Sequence, residues 1–330
     1  MDLFKIISAI EKVDPEVYER LDSRRRVFKH FGMAGKAVTA AVLPGLVSGI
    51  FQRAYGQTTS LSPDIVAVLN LALSLEYLEF YFYDKGLNTP GLIAPADRPA
   101  FETIRNDESG HIKVLRGALG NAAIPDPTAA AFDYSGGRGS MTGPFAPALV
   151  NDYALYLGSS QAFVDTGVRA YKGGAPTLMP NPDLLEAALN IHSVEARHSS
   201  HVRTIRRGLS ASQSGQAATT IAGDLANLSG KTGRPKSWVS GIENGGPSPS
   251  TDPSTAPVYN AGVPASGGPT DLFFPAESNI TQANVNIMTN TTGVTMTMDA
   301  ATEAFDEPLD PATVKSIARN FVVPSSGLFV

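Results

Sequence analysis

The chain has 330 residues, of which 17% are charged, and its formal net charge is -5 at pH 7. This acidic balance does not favour nucleic-acid binding, and the absence of cysteine excludes disulfides, iron–sulfur clusters and thiolate zinc sites. The length is enough for one sizeable hydrophobic core with extensions.

Residues 1–57 form an N-terminal segment that differs from the rest of the chain. An amphipathic pattern is followed by Arg24-Arg25-Arg26-Val27-Phe28 and then by an apolar, small-residue stretch from Phe31 to Phe51. The order basic, apolar, small is typical of an export signal, and the arginine pair before x-Phe favours the twin-arginine route. We therefore predict an exported, periplasmic or otherwise extracytoplasmic protein. The alternative is a retained helical extension that packs on the rest of the protein or associates with a membrane.

Four helices are predicted in the next region, residues 58–210, from helical periodicity and from start and stop signals. They cover about Ser62 to Lys85, Asp97 to Leu119, Ala146 to Tyr171 and Asn181 to Arg207. Proline follows the cap residue of the first and fourth helices, and glycine follows each predicted end, including Gly173-Gly174 after the third. A long link between helices two and three, roughly 121–145, is typical of an antiparallel four-helix bundle in which two hairpins pack side by side.

The motif E-x-x-H occurs twice in this region. Helix two contains Glu108 and His111, and helix four contains Glu195 and His198. Residues three apart share one face of a helix, so each motif directs a carboxylate and an imidazole at the same point. Both pairs follow the apolar periodicity, which predicts that they lie in the core.

Two glutamates of helix one, Glu76 and Glu79, also fall within an apolar stripe. Burying ionised carboxylates without partners costs several kcal/mol each, and a divalent cation compensates this cost most simply.

The predicted metal site therefore has five ligands and one substitute, and oxygen and imidazole ligands suit iron, manganese or zinc. One ion, two ions and an empty, hydrogen-bonded core all remain open. The ligands are Glu76, Glu108, His111, Glu195 and His198, with Glu79 as the possible substitute.

Several other charged residues of helix four are predicted to lie away from this site. His192 and His201 are expected on neighbouring faces or as hydrogen-bond partners of the ligands, rather than as ligands themselves. Arg203, Arg206 and Arg207 end the helix, where they favour the helix dipole, and we expect them on a solvated face.

Residues 211–330 are predicted to form an irregular, partly β extension because they are rich in Ser, Gly, Pro and Thr. A short helix is expected near Thr220–Leu228. Alternation from Asn284 to Met298 predicts a hairpin that turns at Asn290–Gly293. Asp310 is the predicted cap of a closing helix from Pro311 to Phe321.

Together, these motifs resemble the ferritin-like domain family that includes plant desiccation-related proteins and bacterial exported homologues. The resemblance covers about residues 60–210 well and the C-terminal part loosely. It is carried by Leu73-Ser74-Leu75-Glu76-Tyr77-Leu78-Glu79, Glu108-Ser109-Gly110-His111, Asp165-Thr166-Gly167-Val168-Arg169-Ala170-Tyr171, Glu195-Ala196-Arg197-His198 and Phe305-Asp306-Glu307-Pro308-Leu309.

The resemblance implies a ferritin-like four-helix bundle and, by analogy with ferritins, a di-metal centre. The family pattern places a glutamate directly before the Asp-Thr-Gly-Val run, where this chain has Val164. Gln161 and Asp165 are the nearest polar alternatives, and Asp165 is expected to flank the inward stripe.

Two functions follow from these expectations. The first is a ferritin-like protein that binds iron or manganese, with zinc as an alternative, in oxidative or desiccation stress defence; an oxidase or peroxide-consuming activity is left open. The second is a structural, stress-protective or assembly protein on the same scaffold with a degenerate or empty metal site. Metal ions are the expected partners, a homo-oligomer is left open, and no nucleic-acid partner is expected.

Overall fold

The computed structural model describes residues 61–208, 256–268, 271–289, 296 and 298–330. The predicted N-terminal segment, the short helix near Thr220–Leu228 and the turn at Asn290–Gly293 lie outside the described residues. Within them, four long helices pack together, as predicted. These are α1 (Pro63–Asn88), α2 (Arg98–Leu119), α3 (Tyr153–Leu178) and α4 (Pro182–Gly208).

Helices α1 and α2 form one antiparallel hairpin. Near the end of α1, Asp84 pairs with Arg105 of α2 at 2.8 Å, whereas near its start Asn70 accepts a hydrogen bond from the backbone of Ile124, just after α2. Contacts therefore run in opposite directions along the two helices. The start of α1 is fixed by Ser62, whose side chain accepts a hydrogen bond from the third residue of the helix region, Ile65.

Helices α3 and α4 form a second antiparallel hairpin. Asp165 of α3 pairs with Arg203 late in α4, and the Val168 carbonyl contacts the His192 ring earlier in α4. The apolar faces of the two hairpins meet in one core, and α1 is buried along most of its length. Although α1 is long and apolar enough to cross a membrane, this burial is what a core helix of a bundle requires.

The crossover between the hairpins runs the length of the bundle, through residues 120–152. It begins beside the start of α1, where the Asn70 side chain donates to the Ala122 carbonyl at 2.8 Å. It ends beside the end of α1, where Thr89 donates to the Leu149 carbonyl at 3.4 Å. Helix α3 consequently starts at the same end of the bundle at which α1 finishes, which makes these two helices antiparallel as well.

Helix α3 differs from its prediction at both ends. Ala146–Leu149 forms a separate 3₁₀ turn, and α3 begins at Tyr153, where Asp152 caps it. The helix continues through Gly173-Gly174 to Leu178, so the prediction that these glycines end it was wrong. A Cβ added at Gly173 would lie 2.0 Å from the Leu309 carbonyl oxygen, which shows that this glycine permits close packing.

The first helix is longer than predicted for the same reason. It passes Gly86 and ends at Asn88. A Cβ at Gly86 would meet the ring of Tyr156 at 2.5 Å, so the glycine accommodates an aromatic ring of α3 within the helix.

The described part of the C-terminal extension contains short helices and one small hairpin. The helices are α5 (Ala256–Tyr259), α6 (Met298–Thr302) and α7 (Pro311–Ala318), and the strands are β1 (Thr281–Gln282) and β2 (Val285–Asn286). Val285 pairs with Gln282, which precedes it in the chain. The turn and most of the second strand of the predicted hairpin lie outside the described residues. Asp310 caps α7 as predicted, by accepting a hydrogen bond from the Thr313 backbone.

A single arginine of α3, Arg169, binds this extension to the bundle. Its side chain is 1% exposed and pairs with Glu277 at 2.8 Å. The guanidinium also donates to five backbone carbonyls from separate parts of the extension. These belong to Val258, Asn260, Pro275, Glu307 and Pro308. Because removing one partner of a buried ion pair is strongly destabilising, Arg169 anchors the segment.

Candidate metal centre

The structure brings all six candidate ligands together in the bundle core. Each is at most 7% exposed, and Glu108 is fully buried. Helical periodicity explains this placement, because each helix buries residues three and four apart on one face. Glu76 and Glu79 come from α1, Glu108 and His111 from α2, and Glu195 and His198 from α4.

Three carboxylates surround one nitrogen of His111. Its Nδ1 lies 3.0 Å from Glu76 Oε2, 3.0 Å from Glu108 Oε2 and 3.1 Å from Glu195 Oε1. One ligand atom from each of these four residues lies within 4.8 Å of all the others. A single N–H hydrogen bonds well with one acceptor at a time, so this convergence is better matched to a cation than to a proton.

The second imidazole, His198, contacts the other oxygens of the same two glutamates. Its Nδ1 lies 3.2 Å from Glu108 Oε1 and 3.5 Å from Glu195 Oε2. Its Nε2 lies 3.1 Å from Asp107 Oδ2. A carboxylate on the far nitrogen of a histidine fixes the ring orientation and leaves the near nitrogen as a metal ligand.

Asp107 is a residue that sequence reasoning missed. It directly precedes Glu108, so it lies about 100° around the helix from the motif and on a half-exposed face. The sequence signal for it was an acidic residue immediately before the first E-x-x-H motif. In the structure this residue contacts His198, the histidine of the second motif.

Helix α3 contributes a tyrosine to the centre. The Tyr171 hydroxyl donates a hydrogen bond to Glu76 Oε1, and Glu76 Oε2 lies towards His111. Val164 is fully buried, and Asp165 does not replace the absent glutamate. Asp165 instead accepts hydrogen bonds from Ser199 and Tyr259 on the side of α3 that faces α4 and the extension.

Glu79 reaches the space beside α3 that a small residue leaves free. A Cβ at Gly167 would lie 3.2 Å from Glu79 Oε1 and 4.0 Å from Glu195 Oε2. The carboxylate of Glu79 therefore lies between α1 and α3, and the Glu195 carboxylate borders the same space.

Burial and mutual charge shift the pKa values of these groups strongly. Burial raises the pKa of Glu76 to about 8 against the opposing attraction of His111, and burial with repulsion from Glu195 raises the pKa of Glu79 well above its usual range. Burial alone would lower the pKa of His111 and would raise that of Glu195. The contacts between imidazoles and carboxylates outweigh burial in both, so the pKa of His111 is raised and that of Glu195 is lowered. Protons thus offset the charge of the metal-free core.

The hydrogen-bond inventory also fits a metal. Among the described residues, several buried atoms of the cluster have no hydrogen-bond partner. Unpaired buried polar groups are costly, and they are uncommon unless an ion or water joins them. These atoms are Glu79 Oε2, Glu108 Oε1, both carboxylate oxygens of Glu195 and His198 Nδ1. Carboxylate and imidazole donors suit a first-row divalent ion.

The remaining polar residues of α4 have structural contacts elsewhere. His192 is half-buried against the Val168 carbonyl and His201 is exposed, so neither reaches the cluster. The prediction of a solvated arginine face was wrong for Arg203 and Arg206. Both are largely buried, because Asp165 and Gln161 of α3 accept their hydrogen bonds.

A comparison with family models agrees with the four-helix fold. Residues 64–207 match the model of a ferritin-like domain. Comparison with curated proteins and with solved structures gives no significant match. The matched residues span α1 to α4 and contain every candidate ligand. Residues 64–207 of this chain therefore form a ferritin-like domain.

Proposed function

We propose that this domain binds one or two divalent transition-metal ions, iron or manganese, in its core. The observation that supports this most directly is the set of four donor atoms within 4.8 Å of one another on Glu76, Glu108, His111 and Glu195. Each of these residues is at least nine-tenths buried. Zinc shares the same donor preferences and is the alternative ion.

The contacts suggest a role for each side chain. Glu108 and Glu195 each direct one oxygen towards His111 and the other towards His198, which suits bridging ligands. The two imidazoles would bind through Nδ1. Tyr171 holds one oxygen of Glu76 and thereby presents the other to the site.

Bound iron or manganese would supply redox chemistry towards oxygen or peroxide. The protein contributes a dry site, since every ligand is buried between helices, and it fixes the orientation of His198 through Asp107. Consumption of oxygen or peroxide would fit oxidative or desiccation stress defence. An export signal within residues 1–57 would place this activity outside the cytoplasm, and a retained segment would instead hold the protein at a membrane.

A second candidate function is favoured by Val164. Without a carboxylate from α3, the site lacks one ligand of the arrangement in which each of the four helices contributes. A structural, stress-protective or assembly role would then use the scaffold and its anchored C-terminal extension, with protons retained in place of metal.

Metal analysis of the purified protein tests the first proposal. Protein loaded anaerobically with Fe(II), Mn(II) or Zn(II) should retain metal after gel filtration, whereas a His111→Ala/His198→Ala variant should not. His192→Ala/His201→Ala is a matched control, because it removes two histidines of α4 outside the cluster. Wild-type protein that retains none of the three ions would contradict the proposal and would favour the structural role.

A further inference from the structure

The cluster has two halves with different hydrogen bonding. On the His111 side, Nδ1 of the ring lies within hydrogen-bond distance of Glu76 and Glu108, and Tyr171 bonds the remaining oxygen of Glu76. In this half, Glu76 and His111 have hydrogen-bond partners, and Glu195 Oε1 is the atom without one among the described residues. One cation at His111 would already have Glu76 as a terminal carboxylate.

The His198 half contains unpaired atoms. His198 Nδ1 is close to Glu108 Oε1 and Glu195 Oε2, but none of these atoms has a hydrogen bond of acceptable geometry within the described part of the chain. His198 is 5% exposed, so water does not compensate it freely. With Nε2 engaged by Asp107, Nδ1 is directed at a position between two carboxylate oxygens.

Glu79 borders the same half. It is 4% exposed, and among the described residues its Oε2 also has no hydrogen-bond partner. Its other oxygen and Glu195 Oε2 both approach the point where a Cβ of Gly167 would lie. Glu195 Oε2 is the oxygen 3.5 Å from His198 Nδ1, so Glu79 borders the same space as the carboxylate oxygen that faces His198.

Charge points in the same direction. Glu76, Glu79, Glu108 and Glu195 are all buried in one core. When all four are ionised and both histidines are neutral ligands, two divalent cations neutralise them, whereas one divalent cation leaves two negative charges that retained protons must offset.

We propose that Glu79 is the terminal carboxylate of a second metal ion, bound by His198 and bridged by Glu108 and Glu195. Glu79 thus takes the part that Val164 of α3 does not provide, and a single helix, α1, supplies both terminal carboxylates. This inference rests on the proposed metal binding, and it goes further by assigning a second ion and its ligand.

The first test is stoichiometry. The protein is loaded anaerobically with Mn(II), and bound metal per chain is measured by elemental analysis alongside electron paramagnetic resonance. About two ions per chain are expected, with a spin-coupled signal, since bridged ions in two-metal sites lie about 3.5–4 Å apart. One ion per chain with an uncoupled signal would overturn this inference and leave the proposed metal binding intact. If the protein binds no ion at all, both the two-ion inference and the proposed metal binding are contradicted.

The second test assigns Glu79 to one ion by comparing matched substitutions. Glu79→Gln and His198→Ala should each retain one ion. The Glu79→Gln/His198→Ala variant should also retain one ion, because both substitutions act on the same ion. Glu79→Gln/His111→Ala should retain none. Glu76→Gln is the matched control on the same helix. Glu76→Gln/His111→Ala should retain one ion, because both substitutions act on the ion at His111, whereas Glu76→Gln/His198→Ala should retain none.

The outcomes separate the possibilities. Glu79→Gln protein that keeps two ions and the coupled signal would overturn the assignment, as would complete loss in Glu79→Gln/His198→Ala. Circular dichroism and thermal unfolding establish that each variant is folded. The wild-type stoichiometry decides the two-ion inference even if one variant is not.

Discussion

Asp107 offers the sharpest test of how the second histidine is held. Its carboxylate lies 3.1 Å from His198 Nε2, and its side chain is 42% exposed. Loss of such an orienting partner typically reduces metal affinity 10–100-fold, or about 1.4–2.7 kcal/mol. Because solvent partly screens Asp107, we expect Asp107→Asn to fall at the lower end, roughly tenfold. Stability of the metal-free fold should change by about 1 kcal/mol, because His198 is buried but Asp107 is partly solvated.

The assay is competition for Mn(II) against a chelator of known affinity, together with chemical unfolding of metal-free protein. Asp84→Asn is the control, since Asp84 is similarly exposed at 38% and pairs with Arg105 away from the cluster. It should leave metal affinity unchanged. If Asp107→Asn folds normally and binds both ions as tightly as wild type, then Asp107 does not orient His198 and the assigned contact has no role in binding.

Four further predictions concern the core and Arg169, which anchors the extension. Metal affinity should rise from pH 6 to 8, with proton release on binding, because the pKa of Glu76 is raised to about 8 and an entering ion must displace that proton; isothermal titration in buffers of different ionisation enthalpy measures both. For the same reason, the stability of metal-free protein should fall as the pH rises from 4.5, the pKa of Glu76 in the unfolded chain, towards about 8, its pKa in the folded protein. Unfolding measured at several pH values detects this. Val164→Glu should lower the stability of metal-free protein by several kcal/mol and increase the rise in Tm on metal addition. Arg169→Ala should lower the free energy of unfolding by about 3–5 kcal/mol, whereas Arg105→Ala should cost under about 1 kcal/mol in the same denaturant titration.

Helical periodicity, together with start and stop signals, was enough to predict the four helices, though not all of their ends, and the inward direction of the ligands. Glu76, Glu108 and Glu195 interrupt apolar stripes, and a stripe at helical spacing faces the core whatever its partner is. Side-chain capping by Ser62 and Asp310 is equally local. The sequence therefore predicted which faces meet in the centre.

The errors concern residues whose partners are distant in the chain. Gly173 resembles a helix stop, yet it is explained by the Leu309 backbone that packs against it. Arg203 and Arg206 have the position expected of a solvated helix end, yet both pack against α3 and donate hydrogen bonds to Asp165 and Gln161. Such contacts depend on tertiary packing, so they cannot be predicted from the periodicity of a single helix.

The contacts of Arg169 also constrain when the protein completes its fold during synthesis. Its carbonyl partners lie 89 to 139 residues further along the chain. At an elongation rate of about 5–20 residues/s, the last of them is made roughly 7–28 s after Arg169. In that interval the nascent bundle carries a guanidinium without its final partners, which must stay hydrated on the face of α3. The helical hairpins are local enough to form early, but the cotranslational intermediate becomes the native domain only when the C-terminal residues arrive.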